Sequence, residues 1–372
     1  MCTATLAAVR NTILEHNQDE SIRQIGESFL LHIVDALMRP DAWPFLHSVP
    51  APLERKDLHC LEKEILEQTR PLNWPIPRQF GKFRIVLHAF SGRRRLGDFQ
   101  YYLDALLQKQ TEGFIVYTVS LDIIVDKEKG NIAEKTVRDF WFHSITQGWT
   151  IAFLAGPPCE TWSKARAVHA ADPANSQPRV LRDAMDLWGF PQLRLRELDQ
   201  VCVGNLLLCF AAEAFLRLAD TGGFAAIEHP KEPEDPQLAS IWRLPLFEAL
   251  TRLPGVELLS LSQGLLGAKS MKPTQLLCLN LPGMTQTILA NHVTKSNPKT
   301  SSIGRQGDGS WATGGLKEYP PAFSKALAEQ FCGAISAVPL SAQEDPDSQF
   351  LSVCKAMTVT SFTVEYGRDF AG

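Results

Sequence analysis

Six short apolar runs, "FRIVLHAF", "FIVYTVSLDI", "WTIAFLAG", "FAAIEHP", "VELLSLS" and "TQLLCLN", recur between residues 83 and 280. Between or beside them lie stretches with helical spacing: "DFQYYLDALLQKQ", "AEKTVRDFWFHSI", "NLLLCFAAEAFLRLA" and "LASIWRLPLFEALTRL". Near-continuous apolar strands are buried on both faces, and strands that alternate with helices are joined by crossovers. The pattern therefore predicts an α/β fold with a doubly wound, mostly parallel sheet. In such sheets ligands bind outside the carboxyl ends of the strands, so the residues that end each run are the place to look for chemistry.

The rest of the chain divides around this core. Residues 1–80 read as a helical N-terminal extension, carried by "IGESFLLHIVDALM" and "LHCLEKEILEQTR" and closed by the linker "PLNWPIPRQFG". The α/β domain spans 81–336, with a short recognition or loop region at 281–317, and 337–372 form an acidic, serine-containing tail. The net charge of −4 argues against nucleic acid, yet its distribution does not: each flank carries −3 and the domain +2. Within 258–307 there are five Lys or Arg and no acid, which fits either a phosphate-facing surface or a solvated loop. Eight scattered cysteines without a CxxC pair or leader peptide predict free thiols in a reducing compartment. No apolar stretch reaches the roughly 20 residues that span a bilayer. The expected location is intracellular, nuclear in a eukaryote, with no membrane partner and no metal.

The ends of the runs carry a consistent set of groups. The first leads into "HAFSGRRRLGD", where Ser91 and Gly92 give a tight turn and a helix beginning near Asp98 offers its amide end to a ligand. The second ends on Asp122, either a ribose-hydroxyl acceptor or a solvated turn residue. Asn131 in "GNIAEKT" is either a helix cap or a contact to a base. In "AGPPCETWSKARAVH" the third run stops at two prolines, which forbid strand or helix and fix Cys159 at a strand end. The fourth run delivers Glu228 in "AAIEHP". His88 and the pair Cys202 and Cys209 read as core. Arg93 to Arg95 form either a solvated turn or a phosphate clamp. In "PRVLRDAMDLWGFPQLRLRELDQ", Arg179, Arg182, Arg194 and Arg196 lie among Trp188 and Phe190. They fit a phosphate-and-base surface or an amphipathic helix pair packed over the site.

In this order the residues resemble the cytosine-5 DNA methyltransferases. Phe90-Ser91-Gly92 is similar to that family's phenylalanine-x-glycine loop, Asp122 to its acidic residue after strand two, and Gly130-Asn131-Ile132 to its Gly-Asp-Ile element. Gly156-Pro157-Pro158-Cys159 matches the loop carrying the nucleophile, and Glu228-His229-Pro230 resembles its Glu-Asn-Val or Glu-Asn-Pro element. "LLGAKSMKPTQLL" and "EYPPAFSKALAEQF" resemble two later elements, so the likeness covers roughly 83–335. It implies a Rossmann-like methyltransferase fold and S-adenosyl-L-methionine as cofactor, held by Phe90, Ser91, Gly92, Asp122, Asn131 and Pro157. It further implies Cys159 as nucleophile, Glu228 as the group serving ring nitrogen 3, and DNA as substrate. Cations expected to face nucleic acid are Arg93, Lys164, Arg166, Lys269 and Lys272.

The chemistry needs this set. Cytosine carbon 5 is a poor nucleophile until a thiolate adds at carbon 6, and the charge that builds at nitrogen 3 must be relieved by a carboxyl group whose protonated form burial favours. A helix start or Lys164 and Arg166 would stabilise the thiolate, and the base must leave its stack to be reached. The chain departs from the family in Arg94, Asn131 and His229, and it lacks a clear counterpart of the paired arginines in Gln-x-Arg-x-Arg, for which Gln263, Lys269 and Lys272 are the nearest residues. The same chemistry on RNA, or a silent nucleic-acid-binding relative, are the other readings the sequence carries.

Overall fold

The computed structural model describes residues 83–108, 115–164, 166, 179–298 and 317–338. The expected N-terminal helices and nearly all of the acidic tail lie outside the described residues, as do Lys299 and Arg305 of the basic stretch. Apart from Pro191–Arg194, the described residues form one compact unit.

All six apolar runs are strands: β1 (Phe83–Ala89), β2 (Ile115–Leu121), β3 (Thr150–Ala155), β4 (Phe224–Pro230), β5 (Val256–Ser262) and β6 (Pro273–Leu279). They form one sheet in the order β2-β1-β3-β4-β6-β5. The first four are parallel, but β6 runs antiparallel to β4 and β5 antiparallel to β6. The sheet is thus mixed where a mostly parallel one was expected. The cause is the connection Gln263–Lys272, too short for the crossover that two parallel neighbours require, so the chain turns back on itself.

Helices cover both faces. On one side α1 (Phe99–Leu107) packs against the closing helix α6 (Pro321–Ser336), which also meets α5 (Met284–Ala290). Here Phe99, Leu103, Phe323, Leu327 and Phe331 bury themselves against Val86, Leu154 and Leu276 of the sheet. On the other side α2 (Lys135–Thr146) and α3 (Leu195–Thr221) close over Leu87, Phe153 and Ile227 with Trp141, Phe210 and Phe215. α3 has 27 residues and is long and apolar enough to cross a membrane by length and composition. Its apolar positions Leu208, Phe210, Phe215 and Leu218 are buried in the core, which accounts for that composition. The region read as one helix, "LASIWRLPLFEALTRL", is instead a 3-10 turn (Ile241–Arg243) followed by α4 (Pro245–Thr251). Pro245 lacks the amide that would continue the first helix and so begins the second. Residues 179–194 are irregular, so the expected helix pair there does not form.

The first strand and the last helix are joined through one buried charge. Arg84, fully buried on β1, donates from Nη1 to the carbonyl of Ile335 at 2.7 Å and from Nη2 to that of Val338 at 2.9 Å. It adds a charged donor to carbonyls at the end of α6, where Ile335 otherwise accepts only from the terminal amides, and sits at the negative end of the helix dipole. Desolvation lowers its pKa, an electrostatic cost these contacts offset. Arg84→Met is expected to lower stability by roughly 1–3 kcal/mol, read as an earlier urea midpoint, with Arg84→Lys intermediate; an unchanged midpoint for Arg84→Met would refute the assignment.

Candidate functional site

The chain winds from β1 outward to β2 and then returns to β3 on the opposite side of β1. Loops leaving β1 and β3 therefore part in opposite directions and open a crevice at their carboxyl ends. The β1 loop is Phe90 to Gly97. Phe90 has φ +58° and Gly92 φ +70°, and a side chain added at Gly92 would meet nothing within 4 Å, so the turn borders open space. Gly92 donates its amide to Asp122 Oδ2 at 2.9 Å, and Ile124 donates to Oδ1 at 2.9 Å. Asp122 thus stands at the end of β2 bound to the turn, with acceptor capacity left on both oxygens.

Gly130 is pressed against the same place: a Cβ there would lie 2.2 Å from the Asp122 carbonyl oxygen. Only glycine permits the approach, and it brings Asn131 beside Asp122. Asn131 Oδ1 accepts from the amide of Ala133 at 3.2 Å within a local turn, but the helix cap expected of it falls to Glu134, since α2 begins at Lys135. Phe90, Ser91, Gly92, Asp122 and Asn131 are thereby gathered at one end of the sheet. The amide end of α1 is not open to a ligand as expected, because Asp98 caps it: Oδ1 accepts from Tyr101 at 2.7 Å. Arg94 turns inward to Asp98, Nε to Oδ2 at 2.6 Å, and Arg95 reaches across to the Tyr319 carbonyl at 2.7 Å. Of the three arginines, Arg93 alone is exposed, and the turn is not filled by its own side chains.

The second half of the site lies at the ends of β3 and β4. Pro157 is buried and Cys159 half-buried. The segment after the cysteine is anchored from behind by Arg182, whose guanidinium lies 3.9 Å over the Trp162 ring and donates to Thr161 Oγ1 at 2.8 Å and Asn205 Oδ1 at 2.8 Å. Burial lowers its pKa to about 9. Arg182 is therefore a strut of the cysteine loop and not a phosphate ligand.

Glu228, 7% exposed, is met on Oε1 by Gln263 Nε2 at 2.9 Å, Thr274 Oγ1 at 3.4 Å and the Lys272 ammonium at 3.7 Å. The antiparallel β6 makes this possible, since it runs alongside β4 and returns Lys272 and Thr274 to the end where Glu228 sits. Cys159 feels the same groups. Burial, then Glu228 and Glu160, push its thiol up to about 12, opposed by Lys272. The cation whose charge opposes this shift most is thus Lys272, with Lys317 also felt by the thiol, where the sequence pointed to Lys164 and Arg166. Arg166 is tied to the Glu160 and Arg179 carbonyls at 2.6 and 2.9 Å, while Lys164 is exposed and lines a groove of about 760 Å³ beside β5. Lys272 likewise faces into the site rather than outward; Lys269 is exposed.

Tyr319 was not anticipated. It precedes α6, stacks on His88 with ring centroids 6.3 Å apart, and has Lys272 Nζ 5.6 Å above its ring. A Cβ on Gly156 would lie 2.6 Å from its hydroxyl and 3.3 Å from Glu228 Oε2. The phenol, the carboxylate and the loop of Cys159 therefore meet over one glycine. Burial, followed by the charges of Glu228 and Cys159 and by the phenol's approach to the Glu228 carboxylate as a hydrogen-bond donor, holds it well above its ordinary value, so it is protonated at neutral pH. His88 is buried beneath it, where desolvation lowers its pKa to about 4, and on the same strand as Glu228 the buried His229 is lowered to about 3. Both imidazoles are neutral.

The thiol's environment generates a measurable outcome. Cys159 should alkylate slowly at pH 7 and faster as pH rises, since only the thiolate reacts. Glu228→Gln removes a neighbouring negative charge and should speed the reaction about 3- to 10-fold at a given pH, whereas Lys272→Met should slow it. Peptide-resolved mass spectrometry separates Cys159 from the other thiols, and equal rates in all three proteins would contradict the coupling. Comparison of the chain with protein-family models, with curated proteins and with solved structures finds no match.

Proposed function

We propose that this chain is an S-adenosyl-L-methionine-dependent methyltransferase that modifies carbon 5 of cytosine in DNA through a covalent bond to Cys159, on a Rossmann-like sheet wound on both faces. The observation that carries the reading is the convergence of Cys159 and Glu228 at the ends of the neighbouring strands β3 and β4, with Lys272 beside both.

The cofactor's half of the crevice fits this reading. Open space borders the left-handed turn at Gly92, and a carboxylate with spare acceptor sites stands at the end of β2. Phe90, Ser91 and Gly92 would hold the cofactor on one side, Asp122 would accept its ribose hydroxyls, Asn131 would border its base and Pro157 would separate it from the cysteine loop. When bound, it supplies an electrophilic methyl group on a sulfonium.

Cys159 adds to carbon 6 of a cytosine placed against Glu228. As the C–S bond forms, the carbon 5–carbon 6 π pair is displaced toward carbon 5 and through carbon 4 to nitrogen 3. The proton leaving sulfur is carried to nitrogen 3 by Glu228. This route matches a thiol that rests protonated: addition and proton delivery are coupled, and no free thiolate need accumulate. Lys272 lies close enough to favour negative charge on sulfur as the bond forms. After methylation the carbon 5 proton passes to water, its bonding pair restores the carbon 5–carbon 6 double bond as the C–S bond breaks, and the proton on nitrogen 3 returns through Glu228 to the departing sulfur, so that Cys159 is released as the thiol.

With 5-fluorocytosine DNA and cofactor, a detergent-resistant protein–DNA adduct is expected from the native protein and none from Cys159→Ala. Glu228→Gln should slow labelled-methyl transfer about 10²- to 10⁴-fold. Transfer to RNA alone would reassign the substrate. Absence of both adduct and transfer, with DNA still retained in a binding assay, would make the chain a silent binder.

A further inference from the structure

The Tyr319 hydroxyl is buried and faces the Glu228 carboxylate, its nearest acceptor, without an aligned hydrogen bond, at the place where Gly156, Glu228 and the cysteine loop meet. A buried polar group left unpaired costs on the order of 1–3 kcal/mol, and such groups in native proteins call for an explanation, a missing ligand among them. The chain also holds this side chain firmly in place. Arg95 Nη2 grips the Tyr319 carbonyl at 2.7 Å, its Nε pairs with Glu318 at 3.1 Å, and Lys317 pairs with Glu160 at 2.7 Å. The residues leading into α6 are thus tied both to the β1 loop and to the cysteine loop. The ring is further fixed by His88 and by Phe323, whose centroid is 5.1 Å away.

We infer that Tyr319 is a substrate-reading donor, its hydroxyl hydrogen-bonding to the 2-keto oxygen of the pyrimidine whose nitrogen 3 is served by Glu228. The inference rests on the proposed cytosine chemistry and names a contact within that same site. A protonated phenol beside a carboxylate offers a hydrogen, and on either side of nitrogen 3 cytosine presents one acceptor, the 2-keto oxygen, and one donor, the 4-amino group. Only the keto side answers the phenol. Lys272, Gln263 and Thr274 are already gathered on Glu228 Oε1. Oε2 and the phenol share the space around Gly156, so a base edge approaching there meets both. The contact would draw negative charge onto the keto oxygen as sulfur adds, which makes it stronger during the reaction than before it.

The test is a double-mutant cycle across protein and substrate. Labelled-methyl transfer is measured for native protein and Tyr319→Phe on a random-sequence DNA duplex pool containing cytosine, and on the same pool with cytosine replaced by 2-thiocytosine, whose sulfur is a poor acceptor. Expected are a roughly tenfold loss for either change alone and little further loss when both are made. Tyr319→Phe should leave the urea midpoint equal or higher, because it removes an unpaired buried hydroxyl. Losses that multiply, or a Tyr319→Phe rate equal to native, overturn the donor role, as does a lowered midpoint that accounts for the loss. Failure of native protein to transfer methyl to either pool overturns the cytosine reading itself and this contact with it, and is distinguished by the native arm alone.

Discussion

A carboxylate buried at the end of a central strand cannot stand without donors, and the arrangement that answers Glu228 orders much of this site. The donors come from one short return of the chain. Gln263 opens the connection after β5, Lys272 closes it and Thr274 is the second residue of β6. Had β6 run parallel to β4, its first residues would have lain at the opposite end of the sheet. The reversal that makes the sheet mixed is thus also what surrounds Glu228 with hydrogen-bond donors and places an ammonium beside Cys159. Architecture and electrostatics here have one cause.

The same logic explains how much could be read from residues alone. Apolar runs bounded by turn residues gave all six strands, because continuous burial leaves a local signature. The separate identities of Cys159 and Glu228 were legible too, each at the end of such a run. Antiparallel closure was not, since pairing direction is set by the length of a connection relative to the sheet and not by either strand's composition. Pro245 marked a break that helical spacing around it concealed. Arg182, grouped in the sequence with phosphate-binding candidates, lies instead over Trp162, a contact across 20 residues that no periodicity encodes. Tyr319 was hidden for the same reason: it is 91 positions from Glu228 and belongs to the site through folding alone.

His88 and His229 are buried and uncharged, held so by desolvation, and make an apolar floor with Phe99, Trp162 and Trp242. Glu228 and Lys272 lie beside these rings, Glu228 next to His229 in β4 and Lys272 over Tyr319. Low polarizability beneath a pair strengthens its interaction relative to one surrounded by water. The exposed pairs Lys317 with Glu160 and Arg95 with Glu318 lie at the rim, where solvent screens them and each contributes little to stability. Their effect is geometric, through the carbonyl of Tyr319.

Of the three non-glycine residues with positive φ among the described residues, Asn280 lies past the far end of β6 and the other two flank the crevice. Phe90 in the β1 turn has φ +58° and Lys272 before β6 has φ +38°, conformations that a side chain with a Cβ resists by roughly 1 kcal/mol or more. Glycine at either position would relieve the backbone and lose the side chain. At Phe90 the ring packs against Phe210 of α3, fixing the turn on the core. At Lys272 the strained backbone directs an ammonium back toward Glu228, while its own carbonyl accepts from Thr274 at 3.1 Å. Pro273 adds to the constraint, since the residue before a proline is driven away from the helical region. Strain of this kind persists only where surrounding contacts over-determine it. That it coincides with the cation beside the thiol indicates that the position of the ammonium, more than local stability, is what this turn is built to secure.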